Sequence, residues 1–163
     1  MRDDEVQVDA EVPVARSGID TFSPAALRRR RADRSMTLSD LSVLSGVSES
    51  AISAWERGKD KPTPALLTAI ADALGTHVAD LAPVPESTLR LIDLRHQAGY
   101  SQETAAVNLC ISRTRLGAIE TGRRDPRDRE VDALAALYGV TADRVRQLWQ
   151  RTRDARMARL LDR

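Results

Sequence analysis

Apolar residues between Thr37 and Gly75 recur at helical periods. Leu41, Leu44, Val47, Ile52, Trp55, Leu67, Ile70 and Leu74 form one such set and are candidate core residues. Polar and glycine punctuation divides the stretch into short helices. Ser23 can cap a helix that opens at Pro24 and runs to about Arg34. Thr37 with Asp40 three residues on has the form of a capping box for a helix to about Ser45, followed by a left-handed turn at Gly46. Ser48 caps a third helix over 49–57 that stops at Gly58. Thr63-Pro64 begins a fourth that ends at Gly75, and a short fifth covers about 77–82.

The same punctuation returns 64 residues later. With residues 27–81 laid on 91–145, eleven of the 55 pairs are identical and no gap is needed. The informative identities are Arg31/Arg95, Ser48/Ser112, Glu56/Glu120, Gly58/Gly122, Pro62/Pro126 and Gly75/Gly139, most of which fall at expected helix ends. The second unit therefore predicts helices near 88–98, 102–109, 113–121, 129–138 and from 142 onward, with Ser101, Ser112, Asp128 and Thr141 as caps. The expected organisation is all-α: a tail over 1–21, a first five-helix domain over 22–82, a Pro-containing linker at 83–87, a second domain over 88–148, and a basic helix or tail over 149–163.

Composition agrees with helices and narrows the rest. Hydrophobic residues are 42% of the chain and aromatics only 3%, so Ala, Leu, Val and Ile must build the core. The formal net charge is +1, but residues 1–21 carry −4 and the remainder +5. The tail, rich in Asp and Glu, is expected to be disordered. A mildly basic body is compatible with nucleic acid without requiring it. Of 25 cations only Lys59 and Lys61 are lysines; so arginine-rich a chain makes position more informative than number. Cys110 is the single cysteine, which excludes an intrachain disulfide and a multi-cysteine metal site. No run approaches the ~18 apolar residues of a membrane helix, and there is no apolar signal core, so a soluble, cytoplasmic protein is expected.

Two short helices joined by a turn, then a helix closing on Glu-x-Gly with a proline four residues beyond the glycine, occur in "TLSDLSVLSGVSESAISAWERGKDKP" and in "SQETAAVNLCISRTRLGAIETGRRDP". Both resemble the Cro/repressor-like (XRE-type) helix-turn-helix family. The resemblance covers about 22–83 and 87–148, and implies tandem lambda-repressor-like domains that bind double-stranded DNA. In such a motif the first helix crosses the DNA backbone and the start of the second enters the major groove.

By family position, the reading helices start at Ser48 and Ser112. Candidate base contacts are Glu49, Ser50, Ala51, Ser53 and Ala54 in the first unit, and Arg113, Thr114, Arg115, Gly117 and Ala118 in the second. Arg113 or Arg115 can bind guanine bidentately; Thr114 can meet a thymine methyl or a phosphate. The first set holds no cation, and Glu49 near phosphates is repelled, so this unit either reads few bases or docks through its backbone contacts. The glutamine that opens the second helix of the domain in many family members, where it grips a phosphate, is matched by Gln102; the first unit has Leu38 there. Arg57, Lys59 and Lys61, and then Arg123 and Arg124, are candidate phosphate contacts in the loops after each reading helix. The resemblance also implies two structural ion pairs, Arg31–Glu56 and Arg95–Glu120. The second unit is thus the better candidate sequence reader.

Several features leave alternatives open. Cys110 stands where the first unit has Gly46, so either that turn is altered or it tolerates strain; redox sensing and a plain turn residue are the two roles. Residues after Thr141 carry seven arginines and suit a dimerising or docking helix, a basic DNA-tracking helix, or a frayed tail. A homodimer through this segment and a protein partner for the first domain are the partner expectations besides DNA. His77 and His96 are isolated, and no nucleophile–base set, paired carboxylates or phosphate loop appears, so neither catalysis nor a cofactor or metal is expected. The function expected is transcriptional regulation, repression before activation. The rival is an interaction module, such as an antitoxin in which the second unit alone reads DNA.

Overall fold

The structure, a computed structural model, describes residues 18–162. Ten α-helices and no strand occur among them: α1 Pro24–Asp33, α2 Leu38–Ser45, α3 Glu49–Glu56, α4 Pro64–Leu74, α5 Val78–Leu81, α6 Leu91–Gln97, α7 Gln102–Asn108, α8 Arg113–Glu120, α9 Asp128–Tyr138 and α10 Ala142–Leu161. They form two five-helix domains in tandem, joined through a 3-10 turn at Glu86–Thr88.

Local chemistry accounts for the boundaries. The hydroxyls of Ser23, Thr37, Ser48 and Thr63 accept backbone N–H bonds at the starts of α1 to α4, and Asp40 returns the bond to the Thr37 N–H. Ser101, Ser112 and Thr141 do the same for α7, α8 and α10. Each such cap is worth ~1 kcal/mol. Asp128 is not a cap. It is the first residue of α9; Arg127 holds the cap position and its N–H is taken by the Glu130 carboxylate at 2.7 Å. The sixth helix also starts three residues later than the apolar pattern predicts. The chain is extended at Leu89 and Arg90, and the Asp93 carboxylate accepts the Arg90 N–H, fixing Leu91 as the first helical residue.

Each domain encloses its own core. In the first, Leu27, Leu41, Ile52, Leu67, Ile70 and Leu81 are fully buried around Trp55. In the second, Leu116, Ile119, Leu134, Val145 and Leu148 fill the same space, with Tyr138 and Trp149 adding aromatic bulk. Burying such a side chain stabilises by ~1.5–3 kcal/mol. Leu44 is a correction: it is 61% exposed, with Val43 at 81% beside it. Helix α2 has two turns, one face of which is satisfied by Leu41, and the chain leaves through Gly46 before anything covers the far end.

The tail expected over 1–21 is wrong for its last residues. Ile19 is fully buried and its N–H bonds the Pro62 carbonyl at 3.1 Å, while Asp20 pairs with Lys61. The strap 18–21 therefore belongs to the first domain. The rest of that expectation, residues 1–17, lies outside the described residues, as does Arg163.

The C-terminal segment is one continuous 20-residue helix. Its first half buries Val145, Leu148 and Trp149 against α6, α8 and α9; toward its end Met157, Leu160 and Leu161 stay exposed. Cys110 keeps the left-handed conformation, with φ 53°, so the turn is unaltered and the strain is carried.

Candidate nucleic-acid interface

Helices α3 and α8 are built alike. Each is eight residues long, each has a serine cap, and each buries one stripe: Ile52, Trp55 and Glu56 in α3, and Leu116, Ile119 and Glu120 in α8. The stripe follows from 3.6-residue periodicity and leaves the leading turn outward. In α3 the outward residues are Glu49 and Ser50, with Ser53, Ala51 and Ala54 half-buried behind them. The Ser50 hydroxyl lies 3.2 Å from that of Ser48. In α8 the exposed leading residues are Arg113 and Thr114, with Gly117 and Ala118 half-buried.

The glutamates that close these helices are anchored from α1 and α6. Arg31 Nε donates to Glu56 Oε1 at 2.7 Å and its terminal NH2 group to Oε2 at 2.9 Å; its other terminal nitrogen donates to the Met36 carbonyl. Arg95 repeats the arrangement with Glu120 Oε1 at 2.7 Å and the Tyr100 carbonyl at 3.0 Å. The second pair is more deeply enclosed, 5% and 2% exposed against 18% and 7%. The bond to Glu56 raises the Arg31 pKa, so the guanidinium stays charged.

The two anchors are completed differently. In the second domain the Gln102 amide lies over Gly117 and donates to Glu120 Oε2 at 3.1 Å. Gln102 thus joins the Arg95–Glu120 network. Leu38 has no such group, and there Arg28 instead donates to the Glu56 carbonyl at 2.7 Å.

Arg115 is held within its own domain. Its guanidinium makes two bonds to the Glu130 carboxylate, at 2.9 and 2.7 Å, and one to the Asp125 carbonyl at 2.7 Å. The pairing raises the Arg115 pKa and lowers that of Glu130. Arg113, one turn edge away, has no bonded or ion-pair partner among the described residues. Sequence reasoning missed the Arg115–Glu130 clamp because the partner lies on the next helix, where the first unit has Leu66. The one available signal was a glutamate three residues after a cap position that holds neither Ser nor Thr.

The cationic loops are braced by unlike means. After α3, Arg57 and Lys59 are exposed, while Lys61 donates to Asp20 at 2.8 Å. After α8, Arg123 donates to the Thr121 hydroxyl at 3.0 Å, and the Arg124 carbonyl accepts from the Trp149 indole at 3.2 Å. Gly122 sits against the α10 backbone: a Cβ there would be 2.8 Å from Arg153 Cα. Arg153 lies over the Trp149 ring at 5.3 Å. Neither Asp20–Lys61 nor Trp149–Arg124 is visible in the repeat, since both involve residues with no counterpart role in the other unit.

Among the described residues no group of His, Cys, Asp and Glu could hold a metal ion, and no helix is long and apolar enough to cross a membrane. Two comparisons with known families match: residues 27–81 with a helix-turn-helix family and residues 88–148 with a helix-turn-helix domain family. No curated protein and no solved structure matches the chain.

Proposed function

Because the chain is a tandem XRE-type helix-turn-helix protein, we propose that it is a sequence-specific regulator of transcription that occupies its operator as a repressor. The observation that carries this reading is the leading turn of α8. Arg113 and Thr114 are exposed on a capped helix of groove-entering length, and Arg113 has no partner among the described residues. Arg113 is the base-reading cation, worth ~1–3 kcal/mol of discrimination against a wrong base. Arg115 supports it by tying α8 to α9, and turns to DNA only if a phosphate or base outcompetes Glu130. Ala118 lines the helix behind them. Arg123, Arg124 and the free edge of Gln102 face phosphate and set register.

The first domain adds Arg57 and Lys59 to the phosphate contacts, and Lys61 where a phosphate displaces Asp20, with Ser50 and Ser53 as its few polar readers and Glu49 selecting against phosphate proximity. One chain then prefers an asymmetric site of about two helical turns. Pairing of two chains by covering Met157, Leu160 and Leu161 would double it into a palindrome. Repression follows from occupancy, since a bound operator excludes polymerase, and the cytoplasm is where this regulation would act.

A second reading has support of its own. Val43 and Leu44 are exposed on α2 beside a reading helix without a cation, which favours a protein partner for the first domain, as in an antitoxin that represses its own genes. Selection of bound sequences from random duplexes, then gel shift of Arg113→Ala and Ser50→Asp, separates the two. Regulation through both units requires that Arg113→Ala weakens specific binding ten- to a hundredfold and that Ser50→Asp also weakens it. Unchanged binding by Ser50→Asp, with a one-turn footprint, selects the interaction reading. Absence of any selected sequence sinks both. Salt dependence counts the phosphates, at about 0.9 in the logarithmic slope for each.

A further inference from the structure

The two domains meet at a seam that the repeat does not explain. Helix α4 of the first domain lies against α6 of the second. At the contact, Gly99 has φ +81°, and a Cβ there would come within 2.6 Å of Thr68 Oγ1. The equivalent residue of the first unit is Ser35, also left-handed at φ 52°, and it is exposed. Backbone strain alone would favour glycine at both positions. Glycine occupies the one that meets a neighbouring domain, so the seam is written into the sequence.

Two further features bear on the joint. On α6, His96 is one residue from the end of the helix that meets α4. His96 is half-buried there. The linker adds little slack: Glu86 accepts from Arg144 at 2.6 Å, and its carbonyl accepts from Arg151 at 2.6 Å, which ties the linker end to α10. The free tether is thus the few residues around Pro83 and Pro85.

We propose that this seam fixes the distance and the rotational phase between α3 and α8, so that Thr68 and Gly99 determine the half-site spacing the protein accepts. The inference rests on the reading that both units touch DNA. A loosely tethered pair tolerates many spacings, because the second contact depends only on effective concentration. A locked pair accepts one, since each added base pair rotates the second half-site by about a tenth of a turn.

The test has two arms, both on the full chain. In the first, spin labels at Ser50 and Thr114, with Cys110→Ser, report the distance between the reading helices in free protein. A narrow distribution that broadens in Thr68→Arg supports the seam; a broad one in the parent overturns it. In the second, the selected operator is rebuilt with 1 to 10 base pairs inserted between its halves. The parent is expected to lose at least tenfold in affinity at five base pairs and to recover partly at ten, while Thr68→Arg varies less than about threefold across the series. Thermal unfolding confirms that each variant folds. A narrow distance with flat spacing dependence overturns the role in spacing but leaves DNA reading intact. Failure of the parent to bind any duplex specifically overturns both.

Discussion

The two domains share one plan and brace it from opposite ends of the chain. The first steadies the loop after its reading helix with a strap on its N-terminal side: Ile19 bonds Pro62, and Asp20 holds Lys61. The second uses a helix on its C-terminal side: Trp149 bonds Arg124, and Gly122 lies on Arg153. The first brace pairs one of its loop cations with a carboxylate. The second engages a backbone carbonyl and leaves the Arg124 side chain exposed. The lesson is that equal sequence motifs do not make equal surfaces; what lies behind the loop decides how many of its cations are left without a partner.

The sharpest way to break the comparison is through the closing glutamates. Glu120 is bonded by both Arg95 and Gln102 in a site 2% exposed, whereas Glu56 pairs with an Arg31 that is 18% exposed. Removing one partner of a buried pair costs ~3–5 kcal/mol, because the other charge is stranded without water. Glu120→Ala should therefore destabilise by that amount, and Glu56→Ala by less, since Arg31 can turn to solvent. Urea unfolding of the two variants measures it; equal losses would show that the depth of the second pair is immaterial.

Next in size is the brace itself. Trp149→Phe keeps most of the apolar bulk and removes the indole donor, leaving the Arg124 carbonyl without its bond. The cost is ~1–3 kcal/mol for an unsatisfied buried group, less where water replaces the donor. The same change should weaken DNA binding through the second domain by several-fold in a gel shift, while the matching strap variant Asp20→Asn frees Lys61 and leaves phosphate affinity equal or higher. Opposite signs for the two braces would support the contrast drawn above.

How far this contrast was legible in the sequence follows from where the signals lie. Caps, glycine turns and the repeat are local and survive in one chain, so nine of the ten helices start within a residue of the pattern. The sixth does not, because Asp93 reaches back to Arg90 and sets the start by a side-chain bond. Leu44 fits the apolar period yet is exposed, since periodicity finds a face but not whether anything covers it. Arg113 and Arg115 look interchangeable by spacing; only packing of α9 on α8 distinguishes a free arginine from one clamped by Glu130. The strap at Ile19 was hidden because it follows a segment, residues 1–11, that is rich in acids.

Acid should act on the seam before it acts on either core. Burial, and then the neighbouring Arg95 charge, pull the His96 pKa down from 6.5 to about 4, against the opposing pull of Asp93 and Asp20. A group whose folded pKa lies below its unfolded value binds fewer protons when folded. The folded state thus holds its full advantage above about pH 6.5 and loses it as pH falls toward 4. With His96 only half-buried, solvent screening reduces the loss to roughly 1–2 kcal/mol. Thermal unfolding at pH 7 and pH 4.5 should show this difference, and His96→Gln should flatten it.

The smallest effect concerns the turns that enter the reading helices. Gly46 and Cys110 both sit in the left-handed region, at φ 70° and 53°. Glycine reaches it without a Cβ clash, whereas cysteine stores strain in the same turn. Around Gly46 a Cβ would meet nothing within 4 Å, so the difference is one of backbone conformation rather than space. Cys110→Gly should then stabilise the second domain by about 0.5–1 kcal/mol, after part of the gain is returned to the more flexible unfolded chain. Gly46→Ala should cost the first domain a similar amount. If chemical unfolding shows both changes to be neutral, the two turns are equally relaxed, and the asymmetry of the domains resides in their braces and reading residues alone.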